Sequence, residues 1–167
     1  MTDTEPTTSP ASPTREAIRA ELEETRAKYH ELMNSLSDED WSKKSANPAG
    51  NVRQLMWHLG WAGGFTASGV EACRKGTGTN PPNWITDIAN TWITRIGSRG
   101  AKRQSLGEKY DAAHQKVLAS LEGVQDDEWQ KGARVFNREM TIEKTFRDMS
   151  EHFKEHEADI KKGLGRN

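Results

Sequence analysis

Apolar side chains in this chain recur at steps of three and four residues and nowhere in sustained alternation, which leaves helices as the regular element able to hide them. Ile18, Leu22, Thr25, Tyr29, Leu32 or Met33, and Leu36 mark one amphipathic helix from about 14 to 36. A second runs from about 52 to 75 on Val52, Leu55, Met56, Leu59, Gly63, Thr66 and Val70, with Asn51 as N-cap; Gly63-Gly64 weakens it without ending it. A third starts at Ser105, where Ser105-Leu106-Gly107-Glu108 has the capping-box pattern, and follows Leu106, Tyr110, Ala113, Val117 and Leu121. The fourth starts after Thr141, carries Ile142, Thr145, Met149, His152, His156 and Ile160 on one face, and ends at Gly163. No period-two segment lies between hairpin turns, so the reading predicts no sheet of any size and an all-α four-helix bundle. The connection from 76 to 104 far exceeds the roughly two to eight residues usual between antiparallel neighbours, so it must cross over. Within it Trp84, Ile85, Ile88, Trp92 and Ile96 keep helical spacing and predict a short helix across the end or side of the bundle.

Such a bundle has little aliphatic material to spare. Leu 9, Ile 7, Val 5 and Phe 4 fall below the composition line of roughly 20% associated with disorder, but only when net charge is also high. Here the net charge is -1, and six Trp and five Met extend the core. Residues 1–13, rich in Thr, Ser and Pro, read as a disordered tail, and 14–167 as a single domain. The balanced charge gives no basic excess for nucleic acid, and no apolar run reaches the roughly 18 residues of a membrane span. One cysteine, Cys73, excludes an intramolecular disulfide and reads as core filling; with no signal-peptide pattern at the start, a cytoplasmic location is expected.

The chain also looks internally duplicated. Ser35-Leu36 with Asp38-Glu39-Asp40-Trp41 parallels Ser120-Leu121 with Asp126-Asp127-Glu128-Trp129, and residues 51–59 align without a gap to 145–153, which sets His58 opposite His152. Two helical hairpins joined by the crossover would then form the domain. His152 and His156 are four apart and project from one helix face, the apolar one. Imidazoles in a core stripe need partners for their nitrogens, and a divalent metal satisfies several at once. With His58 they form a three-nitrogen set that leaves a position open, as in catalytic zinc sites. His30 and His114 lie beside the stripes and read as surface or half-buried residues. Glu155, between the two histidines, points away from their face.

The segment Leu55-Met56-Trp57-His58-Leu59-Gly60-Trp61, the Leu36 to Trp41 element, and His152-Phe153-Lys154-Glu155-His156 together resemble the DinB-like superfamily over roughly residues 14 to 163. That resemblance implies a bundle with a crossover between its second and third helices and a divalent metal, zinc or nickel first, on His58, His152 and His156. It also implies a transferase or isomerase that uses a low-molecular-weight thiol of the mycothiol or bacillithiol type on a small electrophile. Arg53 and Arg147 are candidate carboxylate clamps, with surface salt bridges as the plainer reading; Trp57 and Trp61 are candidate pocket walls, or simply core. A second resemblance, carried by Pro82-Asn83-Trp84 and Ile88-Ala89-Asn90-Thr91-Trp92, is to ClbS-like self-resistance proteins, which bind or hydrolyse a reactive natural product. A non-catalytic stress or binding protein on the same bundle is the third reading. The spare Trp84 and Trp92 suggest an exposed apolar patch and a homodimer.

Overall fold

In a computed structural model, which describes residues 13–48 and 50–166, the chain folds as α1 (Pro13–Ser35), α2 (Val52–Gly63), α3 (Thr66–Lys75), α4 (Asn83–Gly97), α5 (Arg103–Glu122) and α6 (Ile142–Gly163). A 3-10 turn covers Asp40–Ser42, and two short strands, β1 (Gly132–Val135) and β2 (Arg138–Thr141), lead into α6. The tail expected over 1–13 lies outside the described residues up to position 12, and Pro13 already begins α1. The fold is a helical bundle. α1 packs on α5 and α6, and so do α2 and α3, so α1 stands diagonally across the core from the α2–α3 rod. Ile18, Leu22, Tyr29, Val52, Met56, Tyr110, Leu121, Phe146 and Phe153 fill the centre, with Tyr29 stacked on Tyr110 at 3.8 Å.

Three expectations are corrected. The second helix does not run unbroken to 75: at Gly64 and Phe65 the backbone bonds tighten to Trp61 and Ala62, three residues back, and α3 restarts at Thr66. Two successive glycines remove the side-chain packing that would hold the four-residue ladder. The third helix starts at Arg103, before Ser105, and its N-cap Lys102 makes no side-chain cap bond. A hairpin does form: β1 and β2 pair antiparallel from Gly132–Thr141 to Val135–Arg138 around Phe136 and Asn137, both at positive φ. Two left-handed residues in a two-residue loop are the turn that matches strand twist, and Phe-Asn lacks the glycine that normally signals it.

The acidic runs paired in the sequence each hold one buried acid. Asp40 accepts from the Ser37 backbone N–H at 2.9 Å and from Lys43 Nζ at 2.9 Å, with Arg166 at 2.6 Å. Glu128 accepts from the Gln125 N–H at 3.0 Å and from Lys131 Nζ at 3.1 Å, with Arg74 against it at 3.1 Å. After each knot the chain returns to a helix start in the same way, Val52 N–H donating to the Lys43 carbonyl and Ile142 N–H to that of Lys131. Asn51 caps α2 in a complete capping box with Gln54, and Thr141 caps α6 through Lys144 N–H. Matching those caps shifts the gapless pairing of 51–59 with 145–153 by one helical turn. His58 lies seven residues past its cap and His152 eleven past its own.

Candidate metal centre

The seven residues from Asn51 place His58 at the half-buried edge of α2, beside the core stripe Val52, Leu55, Met56 and Leu59. On α6 the core stripe is Ile142, Phe146, Met149, Phe153, His156 and Ile160, so His156 is buried within it while Thr145 and His152 flank it. α2 packs on α6, and this contact brings the three imidazoles together. His58 Nε2 and His152 Nε2 are 3.1 Å apart, and one ring nitrogen from each of the three histidines lies within 4.8 Å of the others. The ring centroids stand 4.5 to 5.3 Å apart at steep angles.

The Nδ1 atoms of His58 and His156 are held by neighbours. His58 Nδ1 meets Thr94 Oγ1 of α4 at 3.3 Å, and His156 Nδ1 meets Asp159 Oδ2 at 3.3 Å, which in turn takes a bond from Asn47 Nδ2 at 3.0 Å. Bonds of this kind fix ring orientation and turn the remaining nitrogen inward. His156 Nε2 is buried with no hydrogen-bond partner among the described residues. A buried nitrogen with no protein partner, beside two more imidazoles, is a donor that a divalent cation satisfies. Burial, with the neighbouring imidazoles adding to it, pushes His58 down to about 3 and His152 down to about 4. At neutral pH both are uncharged, the state that donates a lone pair. The donor set and its geometry therefore fit a divalent ion such as zinc.

α4 roofs the cluster. A cavity of about 340 Å³ lies between it and the histidines, with Asp87, Asn90, Thr91 and Thr94 of α4 on one wall and Asn47 and Leu55 on the others. Sequence reasoning missed these α4 residues: Asn83, Thr86 and Arg95 are polar on the same helix, so Asp87, Asn90, Thr91 and Thr94 do not stand out until packing sets them over the histidines. The expected clamps lie elsewhere. Arg147 bonds Glu21 at 2.7 Å and Glu143 at 3.0 Å, the salt-bridge reading of the two offered for it. Arg53 does not line the cavity, and its Nε is shielded without a partner among the described residues. Trp57 and Trp61 stack on each other at 5.9 Å, and Trp61 stands 5.6 Å from the His58 ring, behind it and not in the cavity wall.

Of the other histidines, His30 is half-buried and bonds Asp111 at 2.8 Å. His114 is fully buried, contrary to the expectation of a surface or half-buried residue, because α5 turns it toward α1, where Glu23 Oε1 lies 3.4 Å from Nε2. Glu155 is exposed, and Cys73 is buried in the core. Among the described residues no helix is long and apolar enough to cross a membrane.

A sequence model of the DinB superfamily matches residues 21–159. Among solved structures, YfiT from Bacillus subtilis, described as a probable metal-dependent hydrolase with an unusual four-helix bundle topology, is similar at 18% identity and a TM-score of 0.71, covering 98% of this chain and 95% of that one. The mycothiol-dependent maleylpyruvate isomerase is similar at 12% identity and a TM-score of 0.69; the match covers 87% of this chain but 60% of the isomerase. A mutant of that isomerase matches to the same extent. Such identities speak to the fold. No curated protein matches the chain.

Proposed function

The chain belongs to the DinB superfamily, and on that premise we propose that it is a metal-dependent enzyme that joins a low-molecular-weight thiol to a small electrophile, or isomerises the electrophile through such a thiol. The observation that carries the reading is the orphaned, buried His156 Nε2 facing His58 and His152. A divalent cation held by these three residues would lower the pKa of a coordinated thiol so that sulfur attacks as thiolate near neutral pH. The chain's own residues do the rest. Thr94 and Asp159 hold the His58 and His156 rings, burial keeps His58 and His152 neutral, and α4 covers the cluster and limits water. Cys73 is too buried to serve as the nucleophile, so the thiol comes from outside.

The α4 side chains Trp84, Ile88, Trp92 and Ile96 are all more than half exposed, which supports a homodimer. A reducing compartment, the cytoplasm, suits a thiol-using enzyme, and the net charge of -1 favours small-molecule partners over nucleic acid.

The test pairs metal content with turnover. His152→Ala should lose most of the zinc or nickel that the untagged wild type binds, by elemental mass spectrometry. With a chromogenic electrophile and candidate thiols, His58→Ala should fall at least about a hundredfold in rate. Thiol-dependent turnover equal in wild type and His58→Ala would overturn the proposal. Turnover by wild type without any thiol would favour hydrolysis.

A further inference from the structure

α4 is amphipathic in the reverse sense for a helix laid on a bundle. Its apolar stripe, Ile85, Ile88, Trp92 and Ile96, is turned outward, while Asp87, Asn90, Thr91 and Thr94 face the cavity over the histidines. Turning polar side chains inward forgoes apolar burial, and Thr94 alone is accounted for by its contact with His58. Among the described residues that line the cavity, Asp87 carries the one permanent charge and none is Lys or Arg. The Asp87 carboxylate makes no hydrogen bond or ion pair among the described residues, though twelve other acidic side chains bond an arginine or lysine. Asn90 and Thr91 stand one turn along the same face, with groups that donate to and accept from a polar ligand.

From this wall we infer that the cavity selects a ligand carrying a protonated amine over one carrying a carboxylate, and that Asp87 is the residue that makes the selection. The assignment rests on the metal-thiol reading above and adds the charge of the ligand's tail to it. A carboxylate tail would find no arginine fork here, since Arg53 and Arg147 lie outside the cavity, and would meet Asp87 as a like charge. An ammonium tail gains a charge-assisted bond to the carboxylate while its sulfur reaches the histidine cluster. Asp87 is exposed at the cavity's rim, so the expected discrimination is about tenfold and not a thousandfold.

Three small thiols that differ in tail charge test this: cysteamine, 2-mercaptoethanol and 3-mercaptopropionate. Wild type and Asp87→Asn, loaded to equal cobalt content, are titrated with each, and the sulfur-to-cobalt charge-transfer band gives the affinities. Wild type should prefer cysteamine to 3-mercaptopropionate by about tenfold, and Asp87→Asn should bring the two within about threefold. A tenfold preference kept in Asp87→Asn, or no preference in the wild type, overturns the role of Asp87 and leaves the thiol reading standing. No band with any thiol overturns the thiol reading, and the role of Asp87 is then decided on the metal-free protein. There the backbone amide shifts of residues 87–94 should respond to cysteamine at lower concentration than to 3-mercaptopropionate, and equal responses overturn it.

Discussion

His58 and His152 resist a proton because burial disfavours the charge and the neighbouring rings repel it. His58 and His152 sit at about 3 and about 4 against an ordinary 6.5. Above pH 6.5 neither the folded nor the unfolded chain protonates them. As pH falls below 6.5 the unfolded chain takes up protons that the folded chain refuses, so stability drops, by at most about 1.4 kcal/mol per pH unit for each histidine. The carboxylates held low by their partners, Glu128 at about 2 and Asp40 lower still, withdraw stability only when pH falls below the usual carboxylate range. The window from 6.5 to about 5 therefore belongs to the histidines. Urea midpoints of the metal-free protein should fall across it, and should fall less in His58→Gln; a midpoint flat from pH 7 to 5 in the wild type would contradict the buried, neutral cluster. The i, i+4 pair on an apolar face was enough to find His152 and His156 in the sequence. Thr94 and Asp159 were not legible, because a hydroxyl and a carboxylate on separate helices acquire a role only once packing brings them to His58 and His156.

Elements were legible where one local signal decides them. Asn51 and Thr141 announce their helices because a side-chain oxygen meeting the first free N–H groups is a contest settled within four residues. The break at Gly64 was missed because a glycine pair does not say whether a helix weakens or ends, and the hairpin because Phe136-Asn137 lacks the usual turn glycine. That hairpin also reaches the site. At its tip Asn137 Nδ2 donates to the Pro81 carbonyl at 2.8 Å and to Asn83 Oδ1 at 2.9 Å, while its backbone N–H donates to Asn80 Oδ1 at 2.9 Å. These bonds tie the turn to the start of α4, whose packing within the bundle is otherwise chiefly against α2. Asn137→Gly keeps the left-handed backbone that the turn requires and removes the two side-chain bonds. Global stability should change by less than about 1 kcal/mol, while amide exchange over residues 83–88 should speed severalfold. Unchanged protection there would mean that the hairpin does not hold the roof of the cavity.

At the scale of the molecule, the bundle buries its scarce aliphatics around Tyr29, Tyr110, Phe146 and Phe153 and, among the described residues, leaves six of its eight exposed large apolar side chains on one helix. Trp84, Ile85, Ile88, Trp92, Ile93 and Ile96 are 66%, 42%, 51%, 57%, 41% and 56% exposed. Together they leave on the order of 600 Å² of apolar surface, at the upper end of what a monomer's largest patch exposes and close to one partner's share of a standard interface. The pattern Ile85, Ile88, Trp92, Ile96 steps by three and four residues, so it forms a straight seam that a second α4 can meet along its length. Arg95 and Arg99 are exposed beside it, and no acid of α4 flanks them on that side, so burial of Trp and Ile, not ion pairing, would have to drive association. Sedimentation velocity at micromolar concentration should accordingly find a species near twice 18.8 kDa, weakly dependent on salt. Trp92→Glu, at the centre of the seam and away from the cavity wall, should return the protein to 18.8 kDa with its metal content kept. A wild type that sediments only at 18.8 kDa would show that the seam does not pair two copies.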